Sequence, residues 1–309
     1  MGLTWQWRRI SSIVFDIAGS MLKAAVLLCV IAALLVTISA CGKLRSFDAV
    51  VPYDAGARKI ATGIAYGQDA RQKLDIYAPK QASAERLPVI IFIYGGSWAS
   101  GSRKDYGFAG HALAAKGFVT VVPDYRLVPA VRFPEFINDG AAAVKWVQDH
   151  VAQYGGDADR IILMGHSAGA YTAMMLTLDT RYLEQAGADR RKIKATIGLA
   201  GPYDFYPFDV AASVNAFGQA PDPAETQPIN FVRADVSPIL LLSGDADTTV
   251  RPRNSKTLAG KLEQAGAPVT LKLYPGVSHA EILLALSRPL RGRAPVLDDA
   301  VLFAVKAVQ

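Results

Sequence analysis

Gly165-His166-Ser167-Ala168-Gly169 sets a serine between small residues at the spacing G-x-S-x-G, a pattern that lifts a hydroxyl out of a sharp strand-to-helix turn. A serine hydroxyl is a weak nucleophile until a base takes its proton, and that base is normally histidine. Four histidines occur in the chain. His166 is locked in the turn beside Ser167, while His111 and His150 fall inside helical patterns upstream of it. His279 remains, in the loop Tyr274-Pro275-Gly276-Val277-Ser278-His279, and it completes the chain order serine, acid, histidine. The acid must orient the imidazole and stabilise its charged form. Asp245 and Asp247 both follow the apolar run Ile239–Leu242. Asp247 lies further into the loop and is the better placed to reach His279; Asp245, nearer the strand end, is the alternative. Acyl transfer also needs backbone N–H groups aimed at the oxygen that becomes charged. Ala168 offers one, directly after the serine. Tyr94-Gly95-Gly96-Ser97-Trp98 offers others, with Gly96 and Ser97 as donors and Gly95 permitting the turn. This set needs neither a metal nor an organic cofactor.

Such groups must be carried by elements that bring them together. Val89–Ile93 is a continuous apolar run, suited to a strand covered on both faces. Phe118–Val122, Ile161–Met164, Ile193–Leu199, Ile239–Leu242 and Val269–Leu273 have the same character, and Lys73–Tyr77 alternates as a half-buried strand. Helical patterns separate them: Phe108–Ala115, Ile137–Tyr154, Ala168–Leu178 and Asn254–Ala265, with a last helix over Leu297–Val308. Strands alternating with helices predict an α/β fold, a mainly parallel twisted sheet with helices on both faces. Sites in such sheets lie at the carboxyl ends of strands, where each of the residues above falls. Between Leu199 and Asn230 the rhythm breaks into a stretch rich in Pro, Gly and aromatics, read as a strand-end loop running into a small cap. Trp98, Tyr203, Phe205, Tyr206 and Phe208 are candidates for an apolar acyl or alcohol pocket there.

With these residues in place, YGGSW, the DYRL stretch at 124–127, GGDADRI at 155–161, GHSAGA, SGDADTTV and the terminal VSH resemble the bacterial carboxylesterase and feruloyl-esterase-like (BD-FAE-like) branch of the α/β-hydrolases. That branch is related to hormone-sensitive-lipase-like esterases and kynurenine formamidases. The resemblance runs from about Gly63 to the C-terminus. It implies the α/β-hydrolase fold and hydrolysis of small-molecule carboxylic esters through an acyl-enzyme on Ser167. It also implies that Arg126, Phe133-Pro134 and Asp139 fix the scaffold. Where the branch usually has histidine, this chain has Tyr94, which either keeps a hydrogen bond under the oxyanion loop or tilts that loop. An arylformamidase-type amidase using the same triad is the nearest rival reading. A membrane-tethered binding protein with a degenerate hydrolase site is the rival from outside catalysis.

Residues 1–40 read as an address. Lys23 precedes the unbroken apolar run Ala24–Thr37, and Ile38-Ser39-Ala40-Cys41-Gly42 follows it. A basic flank, a short apolar core and small residues describe a secretory signal, and the cysteine resembles the lipobox of bacterial lipoproteins. By that resemblance Cys41 is acylated, and the protein is exported and tied to a membrane. An uncleaved anchor helix is the alternative, although the run is short of the roughly 20 residues a full span needs. Met21 offers a start closer to the run than Met1. Residues 41–59 show no periodicity and read as linker, which leaves 60–309 for the catalytic domain.

Composition bounds the rest. The chain has 309 residues, 51% hydrophobic and 19% charged, with 33 Lys+Arg against 27 Asp+Glu, a balance suited to one large core. The positive residues are scattered; Arg190, Arg191, Arg291 and Arg293 read as solvated loop charges, and no basic stretch interleaves with aromatics. Nucleic acid is therefore not an expected partner. Both cysteines, Cys29 and Cys41, lie in the N-terminal region, so the catalytic domain has no disulfide and no thiolate site.

Overall fold

Val89-Ile90-Ile91-Phe92-Ile93 is apolar on both faces, and in the computed structural model it is the buried heart of an eight-stranded sheet. The structure describes residues 41–81 and 83–309. Residues 1–40, read above as an export signal, lie outside them, as does the side chain of Cys41, the expected acylation site. The strands are β1 (Ala57–Ala65), β2 (Lys73–Pro79), β3 (Leu87–Ile93), β4 (Val119–Pro123), β5 (Gly156–His166), β6 (Ile193–Leu199), β7 (Ile239–Gly244) and β8 (Val269–Tyr274). Their order is β1-β2-β4-β3-β5-β6-β7-β8. β1–β2 and β2–β4 pair antiparallel, and every later pair is parallel. The predicted mainly parallel sheet is thus present, with an antiparallel corner at its N-terminal edge.

Helices cover the sheet: α1 (Cys41–Val50), α2 (Gly107–Ala114), α3 (Glu135–His150), α4 (Ala168–Leu178), α5 (Thr180–Gln185), α6 (Ala211–Phe217), α7 (Arg253–Gln264), α8 (His279–Leu284) and α9 (Val296–Val308). Helix α4 follows β5 with one residue between and is buried along its whole length. It reads apolar all round because it lies sandwiched between the central strands and α3, as a core helix must. Among the described residues no helix is long and apolar enough to cross a membrane.

The linker expected over residues 41–59 is overturned. Helix α1 occupies its first ten residues and β1 begins at Ala57. Leu44, Phe47 and Val51 recur on one face, a repeat too short to stand out in sequence. The helix is fixed by tertiary contacts. Phe47 is buried edge-on against Phe108 (5.4 Å between ring centres). Asp48 accepts the Phe108 N–H (2.7 Å) and the Tyr53 hydroxyl (2.8 Å). Arg291, expected to be a solvated charge, instead makes a two-pronged pair with Asp54 (3.0 and 2.9 Å), tying this N-terminal segment to the C-terminal loop.

The stretch after β6 forms the small cap. Phe217 of α6 lies at the centre of an aromatic cluster, with ring centres 4.7 Å from Trp98, 5.2 Å from Phe205 and 5.3 Å from Tyr171. Edge-to-face pairs of this kind contribute about 0.5–1.5 kcal/mol each beyond area burial, so the cap is bolted to the scaffold beside the serine turn.

Candidate active site

The central strand β5 ends at His166, helix α4 begins at Ala168, and Ser167 alone makes the turn. Its backbone stands at φ 55°, ψ −122°, a region that costs of order 1–3 kcal/mol and persists only when neighbours enforce it. They do: Ser167 N–H donates to the Leu199 carbonyl of β6 (2.9 Å), and the Ser167 carbonyl accepts from Tyr171 N–H (3.0 Å). The flanking glycines are sterically compulsory. A Cβ on Gly169 would stand 2.0 Å from the Ile93 carbonyl oxygen, and one on Gly165 would stand 2.3 Å from that of Gly169.

His279 and Asp247 meet. His279 Nδ1 lies 2.7 Å from Asp247 Oδ2, across 32 residues of chain. Asp247 is buried, and its other oxygen accepts the Thr249 and Val250 N–H groups at 2.9 Å each. The carboxylate is therefore aimed by its own loop. Asp245, the alternative acid, turns elsewhere: its Oδ1 accepts Gly276 N–H (2.6 Å) and so braces the loop that carries His279. That loop ends sooner than the sequence suggests. His279 is the first residue of α8, capped by Ser278, whose N–H donates to Glu281 (2.8 Å). The capping-box pattern Ser278-x-x-Glu281 was the available signal.

Sequence reasoning set His166 aside, yet it contributes. Its Nε2 lies 3.0 Å from the His279 carbonyl oxygen, an acceptor, so Nε2 carries the proton. Burial, reinforced by the neighbouring His279, pushes its pKa well below the usual imidazole range, against the opposing effect of that backbone bond. The ring is a neutral donor that ties the Ser167 turn to the backbone of His279.

The loop expected to supply oxyanion donors differs from its sequence reading in one respect. Gly96 takes the left-handed backbone (φ 125°), followed by Ser97 at 54° and Trp98 at 58°. Its carbonyl accepts Ala99 N–H (3.1 Å) and Ser100 N–H (3.0 Å), closing the turn. Gly95 does not make the turn. It allows contact, since a Cβ there would lie 2.9 Å from the Ser167 Cβ. Among the described residues no protein acceptor takes the Gly96 or Ser97 N–H. Beneath, Tyr94 is fully buried, stacked between Tyr106 (5.0 Å) and Tyr125 (4.8 Å). Its hydroxyl donates to Asp124 (2.7 Å) and accepts from Arg71 (2.9 Å). Asp124, of the DYRL stretch, is also paired with Arg103. Tyr94 thus keeps a hydrogen bond under the loop. Arg71 and Arg103 had no sequence signal, because their partners are distant in the chain.

Two clefts converge on Ser167. One, of about 330 Å³, has Trp98, Ala168, Phe205 and Val210 in its wall. The other, of about 450 Å³, has Leu44, Tyr106, His166, His279 and Leu283. Ser97, Ser167, Thr248 and Thr249 border both. Of the expected pocket aromatics, Trp98 and Phe205 line a cleft. Tyr203 is in the core under the cap, Tyr206 faces solvent, and Phe208 packs on Phe205 and Phe217. Arg126 grips the buried Asp139 through Nε and Nη2 (2.8–3.0 Å), a scaffold clasp away from both clefts. Among the described residues no group of three or more His, Cys, Asp or Glu side chains is placed to hold a metal ion.

The BD-FAE family model matches residues 74–262. Similar curated proteins include the isoprenylcysteine alpha-carbonyl methylesterase ICME of Arabidopsis thaliana, 28% identical over 272 residues, covering 81% of this chain and 63% of that one. The esterase LipC of Mycobacterium tuberculosis is 30% identical over 241 residues, covering 72% of this chain and 60% of that one. The chain spans less than two thirds of either relative. Among solved structures, a truncated carbohydrate esterase from gut microbiota superposes with a TM-score of 0.72 at 24% identity, over 84% of this chain and 99% of that one. Esterase B from Lactobacillus rhamnosis superposes at 0.75 with 20% identity, over 95% and 96%. These structures share the α/β-hydrolase fold.

Proposed function

The chain belongs to the BD-FAE family, and from that premise we propose that it is a serine carboxylesterase hydrolysing small carboxylic esters through an acyl-enzyme on Ser167. The observation that carries this reading is the 2.7 Å pair between His279 Nδ1 and Asp247, on an imidazole that borders the same cleft as Ser167. With Nδ1–H donated to the carboxylate, Nε2 is left without its proton and can act as the base. The ester-hydrolase names of ICME and LipC support the same chemistry.

In the first half-reaction His279 Nε2 takes the Ser167 proton as Oγ bonds to the ester carbonyl carbon. The carbonyl oxygen becomes negative and is received by the N–H groups of Ala168, Gly96 and Ser97. Each such donor contributes on the order of 10²–10³ in rate. The tetrahedral centre collapses, His279 gives its proton to the departing alcohol, and the acyl group stays on Ser167. In the second half, water loses a proton to His279 and attacks the acyl carbon. Collapse returns the proton to Ser167 and releases the acid. Asp247 stabilises the imidazolium in both halves and takes no proton itself.

Ser167→Ala tests the assignment directly. The expected result is loss of p-nitrophenyl acetate hydrolysis and of labelling by a fluorophosphonate probe, with the fold intact by circular dichroism; full turnover by the variant would sink it.

We also propose that residues 1–40 direct export and that acylated Cys41 ties the domain to a membrane, on the strength of the apolar run Ala24–Thr37 and the small residues before the cysteine. Mass spectrometry of the mature N-terminus decides this. A diacylglyceryl-modified Cys41 is expected, and a free thiol there would refute it.

A further inference from the structure

Helix α1 puts Leu44 in the wall of the cleft that contains His279, together with Leu283 and Leu284. Leu44 is three residues past the start of the helix at Cys41, about 5 Å of axial rise. The apolar run Ala24–Thr37 ends only a few residues earlier. The chain therefore enters the catalytic body at the lip of its cleft. The other cleft is edged by the cap. There Val210 and Val214, one helical turn apart, are 56% and 48% exposed, and Tyr206 is 56% exposed. These are three of the seven large hydrophobic side chains standing in solvent among the described residues. Arg251 and Arg253 line the same cleft, both exposed, and neither guanidinium has an ion-pair or hydrogen-bond partner among the described residues. Asp209 is the one carboxylate in that wall.

A soluble surface gains nothing from clustering exposed apolar side chains beside unpaired guanidinium groups at a cleft mouth. At a lipid interface both find partners: the apolar side chains enter the acyl boundary and the arginines meet anionic headgroups. We propose that this rim docks on an anionic bilayer and that the site draws its esters from it, taking amphipathic esters whose hydrocarbon chain resides in the membrane. This rests on the esterase reading above and adds to it the phase from which substrate arrives.

The test uses the full chain reconstituted in vesicles of phosphatidylcholine, with or without phosphatidylglycerol. Two substrates run in parallel: methylumbelliferyl oleate within the bilayer and methylumbelliferyl acetate in solution. Phosphatidylglycerol is expected to raise oleate hydrolysis about tenfold, and the double variant Tyr206→Asp/Val214→Asp to lower it about tenfold. Neither residue lines a cleft, so acetate turnover by the variant stays at the wild-type rate. Acetate turnover with an oleate rate indifferent to both lipid and variant overturns the docking proposal alone. Turnover of neither ester by the wild type overturns the esterase reading and this one with it.

Discussion

His166 Nε2 donates to the carbonyl oxygen of His279 across 3.0 Å, so the residue preceding Ser167 holds the backbone of the residue proposed as its base. Strand β5 sits at the centre of the sheet and β8 at its edge, three strands away. This bond is a direct strut between their loops. Replacing His166 with Phe keeps volume and removes the strut. We expect kcat for p-nitrophenyl acetate to fall about 10- to 100-fold, the cost of a small misplacement of the base, with KM little changed. His166→Gln, which can donate from a similar place, should recover part of the loss.

The two aspartates after β7 divide their work. Asp247→Asn keeps the shape but disturbs the imidazole's tautomer and removes its counter-charge, and should lower kcat by about 10⁴. Asp245→Asn leaves His279 with its partner and loosens only the Gly276 contact. Its effect should be a small fraction of that. Steady-state kinetics on both variants checks the assignment, and equal losses would contradict it.

Tyr94→Phe removes the hydroxyl shared between Asp124 and Arg71 under the oxyanion loop. The ring stack remains, but a buried carboxylate loses a donor. A destabilisation of about 1–3 kcal/mol is expected, read as a lowered thermal midpoint, together with a several-fold drop in kcat as the Gly96–Trp98 backbone relaxes. Gly96→Ala should be harsher, because a Cβ there would stand 2.2 Å from the Ser100 carbonyl oxygen.

Stability should fall as the pH drops below the ordinary imidazole range. Burial lowers the pKa of both His166 and His111 in the folded state, while the unfolded chain's imidazoles titrate near the ordinary value of about 6.5. Below that pH the unfolded state binds protons that the folded state refuses, so stability present above about pH 6.5 is lost as pH drops toward the folded values. His166 alone contributes a slope approaching about 1.4 kcal/mol per pH unit. Urea unfolding between pH 8 and pH 5 measures it, and His166→Gln should flatten the curve.

Much of this was legible in the chain because its signals are local. The apolar runs of β3, β5, β6 and β7 mark strands buried on both faces, and α4 begins at Ala168 and ends at Leu178 as its pattern predicts. Asp247 and His279 could be nominated because each follows a strand end. What escaped was tertiary in origin. Helix α1 is held by Phe108 and Tyr53, which its own ten residues do not announce. The buried knot of Tyr94, Asp124, Arg71 and Arg103 joins residues up to 53 positions apart. No periodicity encodes such a knot. The role exchanged between Gly95 and Gly96 was hidden for a different reason: two adjacent glycines are equally permissive, and only the approach of the serine turn separates them.

Among the described residues strand β8 has a neighbour on one side only, and Thr270, Lys272 and Leu273 stand in solvent along it. The proposed nucleophile rides the interior of the sheet, whereas the proposed proton carrier hangs from its selvage, pinned by Tyr274 and Lys272 to Asp299 of α9. Fraying of that border would disarm the molecule while nearly all of its secondary structure survived, because marginal strands open at lower free energy than the core. Warming should therefore silence the chemistry before it melts the protein.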